Sequence, residues 1–241
     1  MSLNNYKDTP YIFQQTFKIL IPIAFFALAL IIDKPFPEIL PGFTALETGL
    51  VENLQAFLLL LSLIVALHIL SKAHCYPKWI KAWLTLGILG SLYVLLEEIS
   101  YGQHYFNWST PEYWQAYNDQ QETNFHNTSS WLDQKPRLIL EIGVIFGGLI
   151  VPLLRRIRPS SIPEFSKPIL PQNALFIIAL IAIIPNIFER IMDLIGHPEW
   201  GEIFIRISEI QELYFYYFIL LYFIDLKPQL DEHYKDKNHR P

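Results

Sequence analysis

Six long apolar segments constrain this chain more than any other feature of its sequence. Each has about the length that a helix needs to cross roughly 30 Å of hydrocarbon, at about 1.5 Å per residue. Lipid offers no partner for backbone N–H and C=O groups, so all six segments are expected to be helices. Their approximate limits are residues 17–32, 50–70, 80–96, 138–154, 174–192 and 207–224.

The composition supports a membrane setting for these segments. Hydrophobic residues make up 52% of the chain, charged residues make up only 17%, and the mean hydropathy is +0.26. A soluble domain with a polar surface needs more charge than this. Since no internal repeat or low-complexity tract divides the chain, residues 1–241 are expected to form one all-α transmembrane bundle.

Lys and Arg residues are unevenly distributed over the connections between the segments. Thirteen lie in the two tails and in the second and fourth connections, whereas five lie in the first, third and fifth connections. Because the cytoplasmic side carries the excess of Lys and Arg, both termini are predicted to be cytoplasmic. Such short, interrupted basic runs are typical of topology signals and lipid headgroup contacts, and they argue against nucleic-acid binding.

Ten carboxylates lie at the segment ends or in the third connection, and this topology places all of them on the outer side. Acidic side chains are costly at membrane depth, so such a cluster is a candidate functional site. Residues three apart share a helix face, so Glu209 and Glu212 should project together. The full set is Glu47, Glu52, Glu97, Glu98, Glu122, Glu141, Glu189, Asp193, Glu209 and Glu212.

The third connection, residues 99–136, is long and interleaves aromatic residues with amides and acids. Long ordered loops tend to bind ligands or to cover sites. Trp and Tyr residues can also form a belt at headgroup depth, which is the alternative interpretation. Glu122 and His126 are four residues apart, so in a helix a carboxylate and an imidazole would face one metal ion.

These patterns predict three groups of site residues. The predicted catalytic residues are Glu98, Glu122, His126 and His104. A divalent metal ion of unspecified identity would be held by Glu98, Glu122, His126, Glu209 and Glu212. Substrate contacts are predicted for Gln103, Asn118, Gln120, Trp114 and Arg190. The structural alternative is that amides hydrogen-bond the acids and that outer arginines pair with them.

The third segment and its loop carry a recognisable pattern. It consists of Glu97-Glu-Ile-Ser-Tyr-Gly-Gln-His, then Thr110-Pro-Glu, then Asn118-Asp-Gln-Gln-Glu-Thr-Asn-Phe-His-Asn. The pattern resembles a signature of bacterial multipass membrane proteins of uncharacterised function. The resemblance implies a bacterial inner membrane, and it implies no activity, cofactor or catalytic residue.

Acids at membrane depth beside an aromatic, amide-rich loop predict an enzyme at the outer leaflet. It would be a hydrolase or transferase that acts on a lipid or lipid-linked substrate, and membrane lipids would surround the protein. A carboxylate would be the general base, and a metal ion could assist. Two alternatives stay open. A cation- or proton-coupled transporter would also carry intramembrane acids, although the inner halves of the segments are almost wholly apolar, and a noncatalytic membrane assembly partner needs no chemistry. The oligomeric state is left open.

Overall fold

A computed structural model of the protein describes residues 16–36, 39–40, 43–44, 49–106, 108–115, 123 and 130–234, with the backbone alone at residues 104 and 130–134. Every regular element among these residues is helical, and the described part of the chain contains no strand. The predicted all-α fold class is therefore confirmed.

Ten α-helices follow one another along the chain. They are α1 (Ile21–Ile32), α2 (Leu50–Ser71), α3 (Lys78–Glu98), α4 (Gln103–Phe106), α5 (Glu112–Gln115), α6 (Ser130–Val144), α7 (Val151–Ile157), α8 (Phe176–Leu194), α9 (Pro198–Gly201) and α10 (Ile207–Tyr234) within the described residues. π-Helical turns precede α1 (Thr16–Leu20) and join α6 to α7 (Ile145–Ile150). Short 3-10 turns lie at Ala73–Cys75, Ser100–Gly102, Pro159–Ser161, Lys167–Ile169 and Asn173–Leu175.

Four described helical stretches are long and apolar enough to cross a membrane: Leu50–Ser71, Lys78–Glu98, Lys135–Ile157 and Asn173–Leu194. They coincide with the second to fifth apolar segments of the sequence, as an integral membrane protein requires. The first segment forms a shorter apolar helical stretch, Thr16–Ile32. Helix α6 begins at Ser130, inside the predicted loop. Hydropathy marks only the apolar part of a helix, and the polar residues before it can also be helical.

Helix α10 occupies the centre of the bundle. Four consecutive residues, Leu213, Tyr214, Phe215 and Tyr216, are all buried. Successive residues are about 100° apart around a helix, so this burial covers α10 on every side. Helices α2, α6 and α8 pack around it, and α3 packs on α2. The acids near the start of α10 consequently lie inside the bundle.

The segment that precedes α1 is tied to the far end of α10. Lys18 Nζ lies 2.6 Å from Asp225 Oδ1 and 2.8 Å from Oδ2, with both side chains buried. Tyr76 donates a hydrogen bond to Asp231, which also pairs with Lys227. Burial and the Asp231 carboxylate together raise the pKa of the Tyr76 phenol, so this hydroxyl stays a donor.

Two glycines allow the stretch that joins α6 to α7 to approach its neighbours closely. A Cβ at Gly148 would overlap Ala179 Cβ and lie 2.9 Å from Phe218, and one at Gly147 would lie 2.9 Å from Pro171. Small residues permit such contacts between membrane helices. A Cβ at Gly143, by contrast, would meet nothing within 4 Å.

We expect Gly148→Ala to destabilise the protein by about 1–3 kcal/mol, because the added methyl forces α8 and α10 away. Gly143→Ala is the matched control, and it should be neutral or slightly stabilising, since Ala favours helix and the site is open. Thermal melts of the two purified variants in the same detergent measure the difference. Equal melting temperatures would contradict the close packing at Gly148.

Candidate functional site

Glu209, near the start of α10, is buried and is held from two sides. The Gln55 side-chain amide, from α2, donates to the Glu209 carbonyl oxygen at 2.9 Å and to its Oε2 at 3.2 Å. Arg206 lies 2.6 Å from Glu209 Oε1 and 3.6 Å from Glu52 Oε1. A buried carboxylate needs such charge-assisted partners to offset its lost hydration. One arginine thus joins acids from α2 and α10.

A second arginine joins α6 to α10 and, through an amide, to α8. Arg137 donates to Gln211 Oε1 at 2.8 Å and lies 3.3 Å from Glu212 Oε1. Asn186, from α8, donates to the same Gln211 oxygen at 3.4 Å. Glu209 and Glu212 therefore use different cations, although they start the same helix.

Glu98, the last residue of α3, has a neutral partner. The Tyr216 hydroxyl, one turn after Glu212 on α10, donates to Glu98 Oε1 at 2.6 Å. Glu52, Glu97 and Glu209 lie near enough to Glu98 to repel a negative charge on it. Among the described residues Tyr216 is the only hydrogen-bond partner of Glu98. Its second carboxyl oxygen, Oε2, has no hydrogen-bond partner within the described ranges.

The chain turns through an unusual conformation two residues after Glu98. Ser100 has φ 44°, Tyr101 has φ 55° and Gly102 has φ 101°. Left-handed conformations are uncommon for residues other than glycine, and they cluster at functional sites when the surrounding structure holds them. The Tyr101 hydroxyl donates to Glu97 Oε1 at 2.7 Å. Burial, with this hydrogen bond, raises the pKa of the Tyr101 phenol, so the donor keeps its proton.

The described part of the outer loop is held by amide contacts. Gln103 donates to Thr110 Oγ1 at 2.8 Å and accepts from the Thr123 N–H at 2.7 Å. Gln115 donates to the Thr110 carbonyl at 2.6 Å. These contacts give Gln103 a structural task in addition to its predicted contact with substrate. Trp114, on α5, is partly buried and packs edge-on against Tyr113.

An open pocket of about 670 Å³ lies between α6, α8 and the start of α10. Four cationic side chains line it, with one carboxylate among them, whereas the sequence predicted acids at this end of the bundle. Arg137 and Arg206, which pair with Glu212, Glu209 and Glu52, form part of this wall. The charged lining residues are Lys135, Arg137, Glu189, Arg190 and Arg206.

The structure brings Glu98, Glu209 and Glu212 together around Tyr216, since all three acids act electrostatically on its hydroxyl. Arg190 lines the neighbouring pocket. His104 lies in α4, at a position described by its backbone alone. Four predicted site residues lie outside the described part of the chain: Asn118, Gln120, Glu122 and His126.

No group of three His, Cys, Asp or Glu side chains within the described ranges is arranged to hold a metal ion. The described acids of the predicted metal site, Glu98, Glu209 and Glu212, instead contact a phenol, an amide and guanidinium groups. Glu122 and His126, the other two predicted ligands, lie outside the described residues. The metal site stays a prediction.

Sequence reasoning missed Tyr216, whose hydroxyl donates to Glu98. Tyr216 lies in a long apolar segment, where a Tyr has the appearance of a core residue. The expectation that amides hydrogen-bond the acids holds for Gln55, which donates to Glu209. A signal for Tyr216 was present, because it follows Glu212 by four residues and so shares a helix face with it.

Comparisons with protein-family models, with curated proteins and with solved structures find no match to this chain.

We expect Arg206→Gln to lower the free energy of unfolding by about 1–3 kcal/mol, because it leaves the buried Glu209 carboxylate without its cation. Adding Glu209→Gln to this variant removes the unpaired charge and should restore part of the loss. Arg156→Gln, at an exposed arginine of α7, is the control and should stay within about 0.5 kcal/mol of the parent. Chemical denaturation in one detergent compares all four proteins, and an Arg206→Gln variant as stable as the control would contradict the assigned pairing.

Proposed function

We propose that this protein is a membrane-embedded enzyme that acts on a lipid or lipid-linked substrate at the outer leaflet. The observation that carries the proposal is Glu98. Among the described residues this carboxyl group has one hydrogen-bond partner, a neutral phenol, and a left-handed turn begins two residues after it, at Ser100. Residues held in such conformations by their surroundings are characteristic of active sites. The reaction class is hydrolysis or group transfer.

The proposed topology has six spans with both termini in the cytoplasm of a bacterial inner membrane. Thr16–Ile32 would be the first span and α10 the sixth, in addition to the four stretches that are long and apolar enough. This orientation places the acids of α3, α8 and α10 on the periplasmic or exterior side. Its support is the excess of Lys and Arg on the other side, and the resemblance to bacterial multipass proteins agrees with it.

In the proposed reaction Glu98 is the general base. It would accept a proton from the attacking water or hydroxyl group, and His104 or His126 would donate one to the leaving group. Glu122 and His126, with Glu98, Glu209 and Glu212, could supply oxygen and nitrogen ligands if the enzyme uses a divalent metal ion. Gln103, Asn118, Gln120, Trp114 and Arg190 would contact the substrate.

The transporter alternative would need a polar route through the inner half of the bundle. Ser62 donates to the Leu58 carbonyl of its own helix, and Asn186 is engaged with Gln211. The next buried charges inward, Lys18 and Asp225, neutralise each other. These contacts favour an enzyme over an ion path. Flux in proteoliposomes that disappears in Glu189→Gln or Glu209→Gln would reverse this order, and a noncatalytic assembly partner would show neither flux nor conversion.

The topology predicts how two cysteines react in intact cells. Cys75, which is exposed between α2 and α3, should react with a membrane-permeant thiol reagent and not with an impermeant one. In a Cys75→Ser background, Glu199→Cys should react with the impermeant reagent, because α9 would lie outside. Mass-shift labelling on gels reads both. The reverse pattern would place the acids in the cytoplasm.

The proposed chemistry predicts that Glu98→Gln loses activity and keeps its fold, since glutamine retains the Tyr216 hydrogen bond. The purified protein should convert a component of a total bacterial lipid extract, followed by mass spectrometry. Glu98→Gln should slow this conversion by roughly 100-fold or more. Glu164→Gln, at an exposed acid paired with Lys167, is the control and should retain the parental rate. Conversion by Glu98→Gln at the parental rate would rule out Glu98 as the base. The same assay with a chelator present tests whether a metal ion is needed.

A further inference from the structure

The open pocket beside the acids is a basic site built from three separate parts of the chain. Lys135 and Arg137 come from α6, Arg190 comes from the end of α8, and Arg206 directly precedes α10. Glu189 is the one carboxylate among the lining residues. These three parts are well separated in the sequence, yet the fold gathers their four cations around one volume of about 670 Å³. Pockets of this size take small molecules or headgroups.

Two of the four cations form ion pairs with carboxylates, and the other two form none with the described residues. Arg137 and Arg206 are held in place by Glu212 and Glu209, which also offset part of their charge. Lys135 and Arg190 are exposed, and neither has an ion pair with another described residue. The pocket therefore combines two oriented guanidinium groups with two positive charges that a bound anion can neutralise.

A buried donor lies beside the same wall. Gln211 accepts from Arg137 and Asn186, both of which line the pocket, while its own side-chain N–H₂ group has no hydrogen-bond partner among the described residues. An unpaired buried donor costs free energy that an acceptor would recover. Asn186 and Ser208 add uncharged donors to the lining.

The apolar part of the lining suits an amphipathic ligand. Leu138, Ile205 and Ile207 complete the wall, and the first two are well exposed. A guanidinium group binds a phosphate through two parallel hydrogen bonds, and several cations match a group that carries more than one negative charge. Carbon chains attached to such a group could lie against the apolar residues.

We propose that this pocket binds a phosphate-bearing group, presented either on a lipid headgroup or by a soluble phosphate compound. The inference rests on the proposed function in so far as it names the chemistry of the substrate. The pocket lies next to the acids because Arg206 and Arg137 belong to both. A phosphate bound there would contact Arg206, which pairs with Glu209, and Glu209 in turn acts electrostatically on Glu98.

The first test measures binding of inorganic pyrophosphate to the detergent-purified protein at constant ionic strength, by calorimetry. The parent should bind saturably, and Arg190→Gln and Lys135→Gln should each weaken the binding roughly tenfold, as expected for loss of one charge-assisted contact. Both side chains are exposed and have no ion pair within the described ranges, so unliganded melting temperatures should stay unchanged. Arg156→Gln, at an exposed arginine outside the pocket, should bind as the parent does.

The second arm identifies the source of the phosphate. The protein is reconstituted in nanodiscs of phosphatidylcholine alone and of phosphatidylcholine mixed with phosphatidic acid. A lipid ligand predicts that phosphatidic acid raises the melting temperature of the parent and not of Arg190→Gln, and that it weakens pyrophosphate binding. A soluble ligand predicts equal pyrophosphate binding in both nanodiscs.

Three results would overturn the pocket as a phosphate site. They are no binding of either probe, equal binding by the parent and Arg190→Gln, and an equal loss in Arg156→Gln, which would indicate general charge attraction. The proposed reaction fails separately. Glu98→Gln should still bind pyrophosphate, so a variant that binds it and also converts lipid at the parental rate would reject the reaction and retain the phosphate site.

Discussion

The rest of the structure depends on the burial of a polar helix start at the centre of an apolar bundle. Glu209, Gln211 and Tyr216 of α10 are all buried. In a medium without water each must find a partner on a neighbouring helix or lose several kcal/mol. The partners come from α2, α3, α6 and the segment before α10, so satisfying these groups also selects which helices surround α10 and at what height.

The acidic cluster and the basic pocket share two arginines. Arg137 and Arg206 pair with Glu212 and Glu209 and also line the pocket. Because a carboxylate orients each guanidinium, less side-chain entropy would be lost when the proposed anion binds. An acid-rich sequence would in this way build the proposed anion site from arginines that its acids hold in place.

The sequence predicted the fold to the extent that one dominant physical term decides it. Hydropathy located α2, α3 and α8 to within a few residues, because membrane thickness sets helix length. The sequence predicted that the acids lie near one another only through the topology inferred from Lys and Arg. It could not predict that Arg137 meets Glu212 or that Tyr216 meets Glu98, since those pairs depend on helix rotation and neighbour choice. Gly143 and Gly148 make the same point, because only their facing residues tell them apart.

The difference between Glu98 and the other acids separates structural from chemical tasks. Glu209 and Glu212 each contact a guanidinium, and breaking such a pair leaves a buried charge without a partner, so these contacts stabilise the fold. In the part of the chain that the structure describes, Glu98 has a neutral phenol as its one hydrogen-bond partner. Left-handed residues follow it at a cost of order 1–3 kcal/mol each, and the packing around α3 must offset that cost. Ser100 and Tyr101 adopt left-handed conformations that favour glycine, so the backbone cost is concentrated just after the end of α3.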